Sequence, residues 1–119
     1  MADIYTDAGE DLTADLIDGS ASVPTWRTAW GTGAGTASKT DTTLFTEASE
    51  TRVTTVNTQP ASNQNQFVAT ITADGIKTIT NAGIFDAATT GNMLLKSDFT
   101  GIALAIGDKI EFTFQLTWS

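Results

Sequence analysis

The sequence predicts an all-β protein, an antiparallel β-sandwich or jelly-roll-like domain with a short N-terminal arm or helix. Residues 108–118 alternate apolar and polar side chains. This pattern is typical of a strand that buries one face, because successive side chains of an extended chain point in opposite directions. Threonine and apolar β-formers are abundant, whereas the helix formers Glu, Lys, Arg and Gln are scarce. We therefore expect the last strand to bury Ile110, Phe112, Phe114, Leu116 and Trp118.

The chain has 119 residues and 40% hydrophobic content, which suits one core rather than two. We divide it into an acidic N-terminal arm or short helix, residues 1–19, and a β-sandwich domain, residues 20–119. The net charge of −8 is concentrated in the arm, because six of the fourteen acidic residues precede the first basic residue, Arg27. These six are Asp3, Asp7, Glu10, Asp11, Asp15 and Asp18.

The arm carries signals for one amphipathic helix over about residues 7–18. Thr6 is a suitable N-cap and Gly19 a suitable stop. Acidic residues recur at every fourth position, so they repel one another on one helical face. Two interpretations stay open: a solvated helix on its own domain, or an arm that orders against a partner. The candidate partner-binding residues are Ile4, Leu12, Leu16, Ile17 and, from the next segment, Trp26.

The β pattern begins at Val23 and is interrupted by a glycine-rich stretch, residues 31–36. This stretch lacks the Gly-Lys-Ser/Thr ending of a phosphate loop, so we interpret it as a flexible turn. Residues 41–50 then predict one or two helical turns, capped by Asp41, that pack Leu44 and Phe45 inward.

The rest of the chain predicts short strands separated by turn signals, which is typical of antiparallel sheets. The polar loop 59–65 joins two antiparallel neighbours, and Asp74-Gly75 marks a tight turn. The predicted strands before the last one are 52–58, 66–72, 77–85, 93–95 and 99–104.

Cysteine and histidine are absent, which removes thiolate nucleophiles, imidazole bases, disulfides and the usual zinc ligands. Carboxylates are the remaining catalytic candidates, and glycoside hydrolysis is the reaction that two of them can perform. Each candidate also fits a turn or a solvated face, so we expect no catalytic site. The candidates are Glu47 with Glu50, Asp86 with Asp98, and Asp74 alone.

Other ligand classes are also disfavoured. No EF-hand pattern is present, and we expect no metal and no cofactor. Six scattered cations in an acidic chain predict no direct binding of nucleic acid. The sequence contains no apolar run of membrane-spanning length and no signal segment, so we expect no membrane association and synthesis in a cytosol.

The three tryptophans offer a binding interpretation, because an exposed indole can stack on a sugar or on an apolar surface of a partner. Trp30 and Trp118 lie on apolar sides of their strands and are expected in the core. Trp26 is the least certain of the three.

Two blocks of the sequence resemble small virion proteins of tailed bacteriophages. The first, TAWGTGAGTASKTDTTLFTEASETR at 28–52, is similar to their "WGTG … TDT.L..E … R" pattern. The second, TITNAGIFDA at 78–87 with GNMLLK at 91–96 and then Phe99, is similar to "TI.EAGIFDA … GN.L.. … F". Asn81 stands where relatives often carry Glu.

The resemblance implies a non-enzymatic structural protein of the virion, made in the host cytoplasm. Our first choice is a capsid decoration or cement protein that binds the major capsid protein or other virion subunits. A tail fibre or baseplate subunit is the second choice, and a carbohydrate-binding, host-receptor module is the third. We also expect a homo-oligomer.

Overall fold

Two antiparallel sheets pack against each other in the computed structural model, which describes residues 2–118. The elements are β1 (Ala2–Tyr5), α1 (Asp7–Asp18), β2 (Arg27–Gly31), β3 (Val53–Thr54), β4 (Val56–Ala61), β5 (Gln64–Thr72), β6 (Lys77–Phe85), β7 (Met93–Leu104) and β8 (Lys109–Thr117). The larger sheet has the order β1-β7-β6-β2-β3 and the smaller one β4-β5-β8. The predicted all-β sandwich with a short N-terminal helix is confirmed.

The last strand behaves as its alternation predicts. β8 pairs with β5 over nine residue pairs, from Gln64↔Thr117 to Thr72↔Lys109. Phe112, Phe114 and Leu116 are buried between the sheets. Ile110 is half-buried at one end, and Trp118 follows the strand at the other end with 38% of its surface exposed. The prediction of a buried Trp118 is therefore wrong: the residue lies beyond the last strand pair, Gln64↔Thr117, and is covered only in part.

The predicted helix is present with its predicted boundaries. Thr6 has extended backbone angles, and its hydroxyl accepts a hydrogen bond of 2.9 Å from Gly9 N, so it satisfies a free amide of the first turn. Gly19 ends the helix with φ 84°, in the left-handed region that glycine adopts without strain. The buried side chain of Leu12 anchors the helix in the core.

The N-terminal segment is also tied to the larger sheet. β1 pairs antiparallel with β7, and Tyr5 stacks edge-on against Trp118 with 5.5 Å between the ring centres. Gly9 lies so close to the main chain of Leu94 that a Cβ at this position would come within 2.5 Å of the carbonyl oxygen. The division of the chain at residue 19 stays a prediction.

Residues 32–52, between β2 and β3, cover the outer face of the larger sheet. Leu44 packs there with Ala29, Phe85 and Met93 in a second apolar cluster. Because the smaller sheet covers the inner face, β2, β6 and the first half of β7 are buried on both faces. In strands that are buried on both faces, apolar residues follow one another in the sequence instead of alternating with polar ones.

The helical turns predicted over 41–50 do not form. Thr46 has φ 52°, and the main chain here bonds to the sheet: Thr32 N donates to Thr46 O, and Ala48 N donates to Trp30 O, both at 3.0 Å. These bonds use groups that a helix would need for itself.

Three strand predictions also differ from the structure. The predicted strand 52–58 divides at Thr55 into β3 and β4, which belong to different sheets. Residues 93–95 and 99–104 form one strand, β7, because β6 pairs with it along its length across a register shift between Ile79 and Asn81. β4 continues to Ala61, so the predicted loop 59–65 shrinks to a turn at residues 62–63. Pro60 is tolerated because β4 lies at a sheet edge.

Phe114→Ala tests the core assignment. Phe114 is fully buried, so its truncation should lower the free energy of unfolding by about 3–5 kcal/mol in urea denaturation. Thr113→Ala, on the exposed side of the same strand, is the control and should cost less than about 1 kcal/mol. If both variants lost equally little free energy of unfolding, Phe114 would not lie in the core.

Candidate functional site

Glu47, one of the carboxylates considered for catalysis, is held by Arg52. The guanidinium donates two hydrogen bonds of 2.9 Å to the Glu47 carboxylate. It also donates to the carbonyls of Ala87 and Thr90, at 2.9 and 2.8 Å. The Arg52 guanidinium carbon lies 3.7 Å from the centre of the Phe85 ring. This pair therefore ties the covering segment to the turn after β6.

Glu50 has an equally complete set of partners. Its carboxylate accepts hydrogen bonds from Trp30 Nε1 at 2.8 Å and from Asp74 N at 3.1 Å, and it pairs with Lys77 Nζ at 2.5 Å. Lys77 also pairs with the Asp74 carboxylate at 2.9 Å. Burial alone would raise the pKa of Glu50, but the bonds from Lys77, Trp30 and Asp74 outweigh it and lower the pKa to about 2.

The remaining two carboxylates each accept a hydrogen bond from a main-chain amide. Asp86 accepts a hydrogen bond of 2.7 Å from Asn92 N, which closes the turn between β6 and β7. Asp98 accepts one of 3.1 Å from Ala37 N in the covering segment. Within residues 2–118, no group of three or more His, Cys, Asp or Glu side chains is placed to hold a metal ion.

A buried cation that the sequence analysis missed lies on the outer face of the larger sheet. Lys96 Nζ donates to Asp41 at 2.9 Å and to Thr43 O at 2.8 Å, and lies 3.3 Å from the centre of the Phe45 ring. Burial would raise the pKa of Asp41, but the hydrogen bonds from Lys96 and Ser38 N lower it overall. The available signal was a lysine directly after the apolar residues 93–95 of a predicted strand, since lysine is rarely buried without a partner.

Asn81 is a second missed anchor. Its side-chain oxygen accepts from Phe45 N at 3.0 Å, and its amide nitrogen donates to Phe45 O at 3.2 Å. An amide can make both bonds at once because it carries both a donor and an acceptor. Asn81 thus pairs with the covering segment as a neighbouring strand would.

An apolar groove of about 200 Å³ lies beside α1, and we call it the α1 groove. Helix α1 forms one wall, and residues of the smaller sheet and the segment before β2 form the others. The indole N–H of Trp26 is the one buried side-chain polar atom without a hydrogen-bond partner in residues 2–118. The lining residues are Thr13, Leu16, Val23, Trp26, Asn57, Asn65, Phe67, Leu94, Leu116 and Trp118.

The five predicted partner-binding residues are placed differently from one another. Leu12 and Trp26 lie in the core, and Trp26 meets Phe67 edge-on with 5.7 Å between the ring centres. Leu16 is half-buried on the groove wall, Ile17 is 83% exposed beside it, and Ile4 is half-buried in β1. Their role in partner binding stays a prediction.

Negative charge collects at the C-terminal end of α1, next to this groove. Asp11, Asp15 and Asp18 make no salt bridge with any residue in 2–118, and the last turn of α1 contains no basic residue. The helix macrodipole places partial negative charge at the same end, so it opposes these carboxylates. Lys39, in contrast, pairs with Asp7 and Glu10 near the helix start.

The fold and the site together describe a small β-protein. The carboxylates that we considered for catalysis are bound within the chain, and an apolar groove is open to solvent. The chain belongs to the family described as "Podophage GP4 fiber I protein gp80", whose model matches residues 9–117. A comparison with curated proteins finds no match. Within residues 2–118 the structure contains no helix with the length and apolar character needed to cross a membrane.

Family membership confirms the resemblance to small virion proteins of bacteriophages. A structural protein of the virion associates with other virion components, and the family description points to a fibre. Capsid decoration, our first choice from sequence, is not confirmed, and the second choice, a tail fibre subunit, is favoured over it.

The Glu50 network predicts a specific pH dependence. The ordinary pKa of this carboxyl is 4.5 and the folded value is about 2, so the unfolded chain binds the extra proton as pH falls through this range. The contribution of Glu50 to the free energy of unfolding should therefore be fully present above about pH 5 and fall toward pH 2. Glu50→Gln should flatten part of this slope in urea denaturation measured from pH 2 to 6.

Glu111→Gln is the matched control, because Glu111 lies exposed on β8 and forms no salt bridge with residues 2–118. It should keep the slope of the parent. An identical slope in the parent and in Glu50→Gln would contradict the assigned role of Glu50.

Proposed function

We propose that this chain is a non-enzymatic subunit of the tail fibre of a bacteriophage virion. The observation that carries the proposal is the match of the fibre family model to residues 9–117. The intramolecular partners of Glu47, Glu50, Asp86 and Asp98 support a structural role, because a catalytic pair must leave its carboxylates free to reach a substrate.

The fibre assignment also suits the charges of the chain. The net charge of −8 gives little attraction to packaged or host DNA, so the chain is suited to protein contacts. Four of the six cations are already paired with carboxylates of the same chain: Lys39, Arg52, Lys77 and Lys96. Self-association stays a prediction, which sedimentation of the purified chain would test.

The test is to place a nonsense codon in the gene of the phage that encodes the chain and to grow particles without it. We expect heads of normal shape and stability, with fibres lost or shortened, and recovery when the chain is supplied in trans. Mass spectrometry of separated heads and tails should find the chain with the tails. Recovery of the chain on heads, with intact fibres on mutant particles, would overturn the proposal in favour of capsid decoration.

A carbohydrate-binding role is the second candidate, and one observation favours it. Trp118 is 38% exposed at the α1 groove, which also contains the amides of Asn57 and Asn65. Aromatic rings and amides are groups that can recognise sugars. Specific retention on a glycan array, lost in Trp118→Ala, would support this candidate.

A further inference from the structure

The α1 groove has the size of a site for one large apolar side chain. Its volume is about 200 Å³, and a cavity of about 150 Å³ in another protein is enough to bind benzene. Its walls are mainly aliphatic and aromatic, with Leu16, Phe67, Leu94 and Leu116 among them. Filling it would remove apolar surface from water.

Part of the apolar lining of the groove is exposed to solvent. Val23 is 78% exposed and Trp118 is 38% exposed, and both line the groove. Single exposed apolar residues are ordinary, but a group of them around an apolar groove marks an interaction surface. Trp26 also lines the groove, and its buried indole N–H has no hydrogen-bond partner within residues 2–118.

The negative charges near the groove favour a ligand with a positive charge. Asp15 and Asp18 flank Leu16 and Ile17 in the sequence and lie at the negative end of the helix dipole without a cation nearby in the last turn. Asp18 accepts a hydrogen bond of 2.8 Å from Ser20 N, which offsets this cost, whereas the Asp15 carboxylate accepts no hydrogen bond within residues 2–118 and lowers the stability of the isolated helix. A lysine or arginine of the occupant would turn this cost into attraction.

The same charges argue against a second copy of this chain seated face to face. Such a contact would bring the Asp15 and Asp18 carboxylates of two copies together. Arg27 and Lys109 are the cations that form no salt bridge within residues 2–118. Lys109 starts β8 while Trp118 follows its end, about 30 Å away in an extended strand, and Arg27 faces away from Trp26.

We propose that the α1 groove binds a segment of another virion protein that inserts one large apolar side chain and places lysine or arginine beside Asp15 and Asp18. This inference rests on the proposed function as a virion subunit. Four aliphatic side chains and nearby carboxylates, beside the aromatic rings and two amides of the lining, suit an apolar, basic peptide better than a neutral glycan.

The experiment measures rebinding of the purified chain to particles that lack it. Val23→Lys should lower the affinity at least about tenfold, because it places a charge on the apolar wall and repels a basic occupant. Ile106→Lys is the matched control, since Ile106 is 74% exposed in the turn before β8, and it should bind like the parent. Melting curves of both variants exclude a folding defect.

A charge-matched pair tests the basic character of the occupant. Asp15→Asn should weaken binding about threefold and reduce its salt dependence, whereas Glu111→Gln should change neither. A photoreactive amino acid at position 23 should cross-link in the assembled virion to a different virion protein, at a peptide that contains lysine or arginine.

The outcomes separate this inference from the proposed function. If the parent chain does not bind to the tails of deficient particles, the proposed function fails. If the parent binds there and Val23→Lys binds equally well, the groove assignment alone is overturned. A cross-link to a second copy of this chain, or loss of glycan binding in Val23→Lys with unchanged particle binding, would also overturn it.

Discussion

The ion pair between Lys96 and Asp41 is the constraint on which the rest of the structure depends. The Lys96 side chain has no exposed surface, and a buried ammonium is costly unless charges and acceptors surround it. Lys96 comes from the middle of the larger sheet, whereas Asp41, Thr43 and Phe45 all come from the covering segment, residues 32–52. The position of this segment therefore follows from the need to satisfy one cation. Asn81 and Arg52 fix the same segment at two further points.

The charged residues of this chain mainly bind one another and the main chain. The carboxylates that catalysis would need are bound to Arg52, Lys77 and main-chain amides, so they hold the covering segment and the turns in place. Among the residues that the structure describes, the α1 groove and the acidic end of α1 offer an apolar surface beside carboxylates without a salt bridge. A protein of this kind acts through its contacts with other proteins, which agrees with the fibre family to which the chain belongs.

Local signals predicted α1 and β8 correctly because each signal involves neighbours in the sequence. The Thr6 cap, the Gly19 stop and the alternation of residues 108–118 need no knowledge of distant residues. The conformation of residues 41–50 depends instead on bonds to β2 and Asn81, which no local pattern encodes. Burial of the tryptophans also depends on where the opposite sheet and α1 end, so Trp26 proved buried and Trp118 partly exposed. The groove was missed for the same reason, because its walls come from segments far apart in the chain.

The most direct test of this account is amide hydrogen exchange of Lys96→Met. This substitution puts an uncharged, apolar side chain of similar length in place of lysine. The account predicts lost protection at three amides: Thr32 and Gly33, which bond to Thr46 O and Phe45 O within the covering segment, and Ala48, which bonds to Trp30 O in β2. It also predicts that the free energy of unfolding falls by about 3 kcal/mol. Lys109→Met, at an exposed position without a salt bridge in residues 2–118, should leave both quantities unchanged. Parental exchange rates at these three amides in Lys96→Met, with a stability change below about 1 kcal/mol, would contradict the claim that this buried cation positions the segment.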